Sequence, residues 1–195
     1  QHFPDLDFID LGSGFKVAYQ QGDPETDIDQ LGKKLGETFN NFAKSYARPL
    51  QLWFEPGKFL VSQAGYFVVK ANVIKQTTAN VFVGVNSGFN HLIRPMFYEA
   101  FHLIRNISNP KGTERIYTVV GNICETDTFG WDRKINEVRE GDYLVFYNAG
   151  AYGFEMSSNF NSRLKPAEVL VKDGKPHLIR KRDILEDLLR NQIEL

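Results

Sequence analysis

The first third of the chain alternates between strand-like and helix-like apolar patterns. A short apolar run at residues 8–11 is followed, over residues 27–46, by apolar side chains at the i, i+3, i+4 and i+7 spacing of an amphipathic helix. Residues 50–54 form a second strand-like run. A strand, a helix and a strand in succession predict a βαβ unit, which belongs to a parallel sheet or a barrel.

The pattern changes between residues 58 and 65. Short β-branched or aromatic segments, separated by Gly, Asn, Asp and Pro turns, follow at residues 66–75, 80–85, 114–120, 142–148 and 167–172. They predict an antiparallel all-β domain, a sandwich or a barrel. Asp173-Gly174 is a tight hairpin signal, and residues 183–192 predict a closing helix capped near Asp183. The predicted fold class is therefore α+β.

Composition excludes several classes of protein. The 195 residues are 42% hydrophobic and 24% charged, with a net charge of −1, which is the profile of an ordered soluble protein without a broad footprint for nucleic acid. No apolar run approaches the ~20 residues of a membrane span. One Cys allows no internal disulfide, no His or Cys spacing fits a zinc site, and no secretion signal appears, so a cytoplasmic location is the default.

Glycine-rich turns mark two of the candidate sites. Gly12-Ser13-Gly14 follows the first strand, where glycines let backbone N–H groups approach a phosphate, although most such turns are only turns. Tyr152 is flanked by Gly150 and Gly153. This tyrosine is either a packed core aromatic or a ring that a large ligand can approach.

Two further segments carry ionisable groups. Arg94 precedes a rigid bend at Pro95, and its guanidinium suits a carboxylate or phosphate, or else a surface ion pair. The only cysteine, Cys124, is followed by Glu125. Its thiol is useful as an acid or nucleophile only when it is partly exposed near charge, and spacing alone favours an inert buried thiol.

Five ordered motifs together resemble a known family. They are residues 10–15 (Asp-Leu-Gly-Ser-Gly-Phe), 55–58 (Glu-Pro-Gly-Lys), 90–95 (Asn-x-Leu-Ile-Arg-Pro) with Tyr98, 121–129 with Cys-Glu at its centre, and 150–170, which begins Gly-Ala-Tyr-Gly. The chain is similar to the C-terminal half of the diaminopimelate decarboxylases, pyridoxal-phosphate enzymes of the alanine racemase and ornithine decarboxylase fold type.

The resemblance implies a fold and an activity. Residues 1–60 would be the last βαβ piece of a TIM-type (β/α)8 barrel, and residues 61–195 the C-terminal β domain. The full-length enzyme would convert meso-2,6-diaminopimelate to L-lysine and carbon dioxide in lysine biosynthesis. Pyridoxal 5'-phosphate would be the cofactor, and its Schiff-base lysine would lie in an N-terminal half that this sequence lacks. We therefore expect the 195-residue chain alone to be inactive.

The resemblance also implies roles for individual residues. The cofactor phosphate would meet backbone donors at Gly12 and Gly14, and the cofactor would also contact Gly57 and Lys58. The Glu55 carboxylate would pair with the pyridine nitrogen. In the substrate site, Lys58, Arg94 and Tyr98 would anchor phosphate or carboxylate, Tyr152 would touch cofactor and substrate, and Glu125 would meet the distal ammonium. Across a head-to-tail homodimer, Cys124 would donate a proton in the partner's active site.

Departures from the family pattern leave alternatives open. Ser13 stands where a middle glycine is usual, Lys58 where arginine is usual, and Asn122 where proline is usual. Lysine keeps the charge but loses the planar fork of arginine. The alternatives are a carboxynorspermidine or ornithine decarboxylase of the same fold, a free-standing β-domain that binds a partner, and a pseudoenzyme of the family.

Overall fold

The computed structural model describes residues 3–46 and 48–193. Ten strands and four short or medium helices follow one another along the described chain. The strands are β1 (Phe8–Asp10), β2 (Gln51–Trp53), β3 (Phe67–Gln76), β4 (Val81–Val85), β5 (Ile104–Asn106), β6 (Glu114–Val120), β7 (Thr128–Asn136), β8 (Tyr143–Phe146), β9 (Glu168–Lys172) and β10 (Lys175–Arg180). The helices are α1 (Ile28–Lys44), α2 (Gly57–Val61), α3 (Arg94–Tyr98) and α4 (Leu185–Leu189).

The predicted βαβ unit is confirmed. Strands β1 and β2 pair in parallel, with Ile9 opposite Leu52. The crossover helix α1 begins after Asp27, whose carboxylate accepts a hydrogen bond from the Gln30 backbone N–H at 2.9 Å. None of the α1 side chains is buried, since its apolar stripe finds little to pack against within the described chain.

The main sheet has six strands in the order β5-β8-β3-β4-β6-β7. Its two end strands, β5 and β7, contact each other, so the sheet curls until it is nearly closed. Apolar side chains from most of its strands fill the interior, and Phe129 and Phe146 are its largest fully buried side chains. Burial of these aromatic and β-branched residues is the main stabilising contribution to this part of the chain.

The prediction of a wholly antiparallel domain is wrong at one pair of strands. β4 and β6 pair in parallel, with Val83 opposite Val119, and the chain between them crosses over through residues 86–113. Two strands, β5 and β7, were also not predicted. β5 has only three residues, and β7 is interrupted by the polar run from Asp132 to Lys134, so neither shows an apolar alternation long enough to detect.

The C-terminal part contains the predicted hairpin and a shorter helix than predicted. β9 and β10 pair in antiparallel fashion around the Asp173-Gly174 turn. Helix α4 begins at Leu185, and Asp183 is not its cap. The Asp183 carboxylate instead accepts hydrogen bonds from the Lys165 backbone N–H and the Asn159 side chain, both at 3.0 Å. An Asp with such nearby donors is held by them and is not free to cap the helix.

Within the described residues, no helix combines the length and the apolar character needed to cross a bilayer.

Candidate active site

The glycine turn and the Glu-Pro-Gly-Lys segment lie side by side at the carboxyl ends of β1 and β2. The Glu55 backbone N–H donates to the Gly12 carbonyl oxygen at 2.7 Å, and Lys58 follows in the first turn of α2. Gly14 has a φ of 97°, in the left-handed region that favours glycine. The Gly12 N–H itself donates to the Asp10 carboxylate at 2.7 Å. Parallel pairing therefore brings two sequence motifs, 40 residues apart, to one edge.

Helix α3 holds Arg94 and Tyr98 one turn apart on the same face. Pro95 fits the first turn of a helix, where its missing N–H costs nothing. Glu99 takes a left-handed conformation with a φ of 53°, and the Ala100 N–H closes the turn on the Arg94 carbonyl oxygen at 3.2 Å. The helix is thus short and well terminated, which fixes the spacing of the two side chains.

The Tyr152 side chain projects from a tightly packed backbone. Ala151 and Gly153 on either side are buried, while Tyr152 is 49% exposed and has a φ of 56°. Gly150 packs so closely on the next segment that a Cβ there would overlap the Val61 carbonyl oxygen. Glycine is therefore required at this position, and the packing leaves the Tyr152 ring facing outward.

These three elements surround one open cleft of about 470 Å³, here named the Arg94 cleft. Its lining residues are Ser13, Gly14, Phe15, Lys16, Lys58, Arg94, Tyr98, Ala100 and Tyr152. The volume is in the usual range for small-molecule sites. Of the ten site residues named from the sequence, five line it, and Gly12, Glu55, Gly57, Cys124 and Glu125 do not. Three cationic side chains, two phenols and an open glycine backbone suit an anionic ligand of aromatic size.

The Arg94 guanidinium lies between two aromatic rings. Its carbon is 5.5 Å from the centre of the Tyr19 ring and 5.8 Å from the centre of the Tyr152 ring. The Lys58 ammonium lies 5.9 Å from the Tyr19 ring. Arg94 Nε is buried and has no hydrogen-bond partner among the described residues. Sequence reasoning missed Tyr19, because nothing in its local spacing separates it from the other aromatic residues.

His102 lies behind this group and was also missed. It is fully buried, its Nδ1 hydrogen-bonds the Tyr147 carbonyl oxygen at 2.8 Å, and its ring meets Tyr19 edge to face at 5.5 Å. Burial lowers the pKa of His102 to about 4, although the Tyr147 bond opposes this, and the cations of Arg94 and Arg133 lower the pKa further. His102 is therefore neutral at physiological pH, with a proton on Nδ1 for Tyr147.

Cys124 and Glu125 do not line the Arg94 cleft. Both side chains are exposed, with Cys124 Sγ 3.4 Å from the Glu125 carboxylate and 3.8 Å from Asn161 Nδ2. The interpretation of Cys124 as a buried thiol is wrong, since the loop presents it to solvent. Asp127 anchors this loop: its carboxylate accepts from the backbone N–H groups of Phe89 at 2.7 Å and Ile123 at 2.9 Å.

The Asp127 carboxyl is nearly inaccessible to solvent. Burial raises its pKa above the ordinary value, and the two backbone donors partly oppose that change. The loop that carries Cys124 is thus held from beneath by a buried acceptor, with its reactive groups facing outward. In the part of the chain that the structure describes, no three His, Cys, Asp or Glu side chains are close enough to hold a metal ion.

Comparison with known families identifies the class of the chain. Residues 28–150 match the family described as pyridoxal-dependent decarboxylase, C-terminal sheet domain. This match covers more than half of the chain, so the chain belongs to the pyridoxal-dependent decarboxylase family. The resemblance inferred from the five motifs is confirmed.

The relatives define the similarity more narrowly. The diaminopimelate decarboxylase of Methanothermobacter thermautotrophicus is 40% identical over an aligned length of 193 residues, and the match covers 96% of this chain and 44% of that protein. A crystal structure of diaminopimelate decarboxylase from M. jannaschii superposes with a TM-score of 0.89 and 32% identity, covering 98% of this chain and 44% of that one. Another, from Helicobacter pylori and complexed with L-lysine, has a TM-score of 0.83 and 33% identity, covering 95% and 44%. The chain thus spans less than half the length of these relatives.

Proposed function

We propose that this chain forms the C-terminal half of a diaminopimelate decarboxylase, which converts meso-2,6-diaminopimelate to L-lysine and carbon dioxide. The observation that carries the proposal is the Arg94 cleft, where Gly14, Lys58, Arg94, Tyr98 and Tyr152 come together from four separate segments. Identity of 40% with a diaminopimelate decarboxylase over nearly the whole chain supports the same substrate.

The division of the chain follows from this proposal. Residues 1–60 are the end of a TIM-type barrel, and residues 61–195 are the β domain. The parallel β1–β2 pair supports this division, because two strands cannot close a barrel by themselves. The apolar side chains of α1 also support it, because none of them is buried within the described chain. The remaining strands of the barrel and the Schiff-base lysine belong to the N-terminal half.

The residues in and beside the cleft fit pyridoxal phosphate. The open backbone at Gly14 and the ammonium of Lys58 suit the phosphate group, and Glu55, held beside the glycine turn, is the carboxylate for the pyridine nitrogen. When bound, the cofactor supplies a ring that takes up the electrons left as carbon dioxide departs. The task of Glu55 is to keep the ring nitrogen protonated, while Gly12 shapes the turn and Gly57 starts the helix that carries Lys58.

The substrate contacts come from the other wall of the cleft. Arg94 forms a charge-assisted pair with the carboxylate that is retained in the product, and the Tyr98 hydroxyl donates to the same group. The Tyr152 ring, half-exposed above Arg94, covers the substrate and limits the access of water. These interactions orient the amino acid so that the carboxylate to be lost stands away from the cationic residues.

Cys124 and Glu125 act in the partner subunit of a homodimer in this proposal. Their exposure, and their absence from the lining of their own cleft, support a role outside their own subunit. The Cys124 thiol donates a proton to the carbon that loses carbon dioxide, and the Glu125 carboxylate binds the distal ammonium of the substrate. Asn161 and Glu125 both contact the thiol and hold its orientation.

Product analysis of the full-length protein tests the function. The purified, cofactor-loaded enzyme is supplied separately with meso-2,6-diaminopimelate, carboxynorspermidine and ornithine, and the amines formed are separated by chromatography. We expect L-lysine from the first substrate and no product from the other two. Product from carboxynorspermidine or ornithine alone would assign the chain to another branch of the family, and no product from any would favour a non-catalytic protein.

Subunit mixing tests the contribution across the interface. Cys124→Ala and Arg94→Gln homodimers are each expected to lose most activity. When the two are dissociated and mixed, half of the dimers carry one of each subunit, and one of their two sites is intact, so about one quarter of wild-type activity returns. Failure to regain activity, with mixed dimers shown to form, would place both residues in the same site of one subunit.

A further inference from the structure

Arg94 lacks the partners that usually orient a guanidinium. Among residues 3–46 and 48–193, no carboxylate forms an ion pair with it, and its buried Nε makes no hydrogen bond. An arginine side chain without such partners has several rotatable bonds and loses much freedom when it binds a ligand. Within the described residues, its closest contacts of this kind are therefore with aromatic rings and not with a carboxylate.

The Tyr19 ring is placed to orient this guanidinium. It lies 5.5 Å from the Arg94 guanidinium and 5.9 Å from the Lys58 ammonium, so one aromatic ring contacts two of the cations of the cleft. Tyr19 itself is fixed at both ends: its backbone N–H donates to the Asp23 carboxylate at 3.0 Å, and its hydroxyl is 3.4 Å from Ser62 Oγ. Its position is set by the fold rather than by a ligand.

His102 supports the opposite side of the arrangement. Its ring meets Tyr19 edge to face, with an interplanar angle of 89°, and it cannot rotate freely because Nδ1 is bonded to the Tyr147 carbonyl oxygen in a fully buried position. The order of contacts therefore runs from the β-domain core through His102 and Tyr19 to Arg94. Tyr152, on the exposed side of Arg94, lacks comparable burial.

We propose that Tyr19 is a positioning residue for the anion-binding site of the cleft: backed by His102, it holds the Arg94 guanidinium so that its terminal N–H groups face the ligand's carboxylate. The proposal rests on the proposed function for the identity of the ligand. It is distinct from that function because Tyr19 does not line the cleft and acts only through Arg94 and Lys58. A direct consequence of the proposal is that the Arg94 guanidinium is already oriented in the ligand-free protein.

Kinetics of the full-length, cofactor-loaded enzyme test the proposal. Tyr19→Leu removes the ring, and we expect KM for diaminopimelate to rise roughly 3- to 30-fold, the range of a cation–aromatic contact, with kcat changed less than twofold. Tyr19→Phe keeps the ring and is expected to restore KM to within twofold of wild type. The dissociation constant of L-lysine, measured calorimetrically, should follow KM in both variants. An unchanged KM in Tyr19→Leu would overturn the proposal.

Two controls separate positioning from a structural role. In an Arg94→Gln background, Tyr19→Leu should change kcat/KM by a smaller factor than it does in the wild type, because only the contact of Tyr19 with Lys58 remains to be lost. A full additional loss would contradict this. If Tyr19→Leu does not fold, Tyr19→Met replaces it. Crystal structures of the ligand-free Leu and Phe variants give a readout that needs no turnover. Arg94 should lose its single rotamer only in the Leu variant, so this result stands even if diaminopimelate proves not to be the substrate.

Discussion

The buried His102 makes the fold sensitive to acid in a defined range of pH. Its pKa is about 4 in the folded protein and has an ordinary value of 6.5 when unfolded, so the unfolded chain binds the proton more tightly. The contribution of neutral His102 to the unfolding free energy is therefore fully present above pH 6.5. It is lost as the pH falls from 6.5 to 4, and it does not change further below pH 4. The difference in pKa corresponds to about 3 kcal/mol of unfolding free energy for this one residue.

The assay compares wild type with His102→Asn, whose side-chain amide can still donate to the Tyr147 carbonyl oxygen. Urea unfolding is measured at several pH values from 7.5 to 4. His91, whose pKa is lowered mainly by burial, and Asp127, whose pKa is raised, titrate in both proteins and cancel in the comparison. The variant should be less stable at pH 7.5 because it loses ring packing, and the gap should close by about 3 kcal/mol on acidification. A gap that is constant with pH would refute the assigned pKa.

Two further substitutions test the packing around the site. Gly150→Ala should lower the unfolding free energy by about 1–3 kcal/mol or more, because its Cβ would overlap the backbone of Val61. The control Gly36→Ala lies in the interior of α1, where a Cβ meets open space, and should stabilise the protein by up to about 1 kcal/mol. Melting temperatures of both variants equal to that of the wild type would contradict both expectations. Asp127→Asn should cost about 1–3 kcal/mol, because one of two backbone N–H donors loses its acceptor, and hydrogen exchange at Phe89 and Ile123 should accelerate. Unchanged exchange at those amides would show that Asp127 does not anchor the loop.

Local pattern was enough to predict the elements with strong periodicity. The α1 helix, both strands around it and the β9–β10 hairpin all follow from apolar spacing and turn residues. The parallel pairing of β4 with β6 does not, because strand direction depends on the path of residues 86–113 and not on the composition of either strand. Likewise, the C-terminal helix is shortened by hydrogen bonds to Asp183 from residues far away in sequence.

The residues around the cleft also fall into two groups, those with a local sequence signal and those without one. Glycine turns, a Pro-bounded arginine and a tyrosine between glycines carry signals in their neighbours. Gly14, Arg94 and Tyr152, which line the Arg94 cleft, were named from these signals together with the family resemblance. Tyr19 and His102 carry no such signal, because a supporting aromatic and a buried histidine differ from other residues only by what they touch. Ligand-binding residues can therefore be recognised in a sequence more readily than the residues that support them from behind.

The parallel pairing of β4 and β6 has a consequence for the order of folding. Residues 86–113, with Arg94, Tyr98 and His102 among them, form a loop whose two ends are joined only when these strands pair. Closing such a loop costs chain entropy before any contact is gained, and non-local pairing of this kind is slow. We therefore expect Arg94 and His102 to reach their final positions late, so that a chain halted before β6 would have a βαβ unit and no Arg94 cleft.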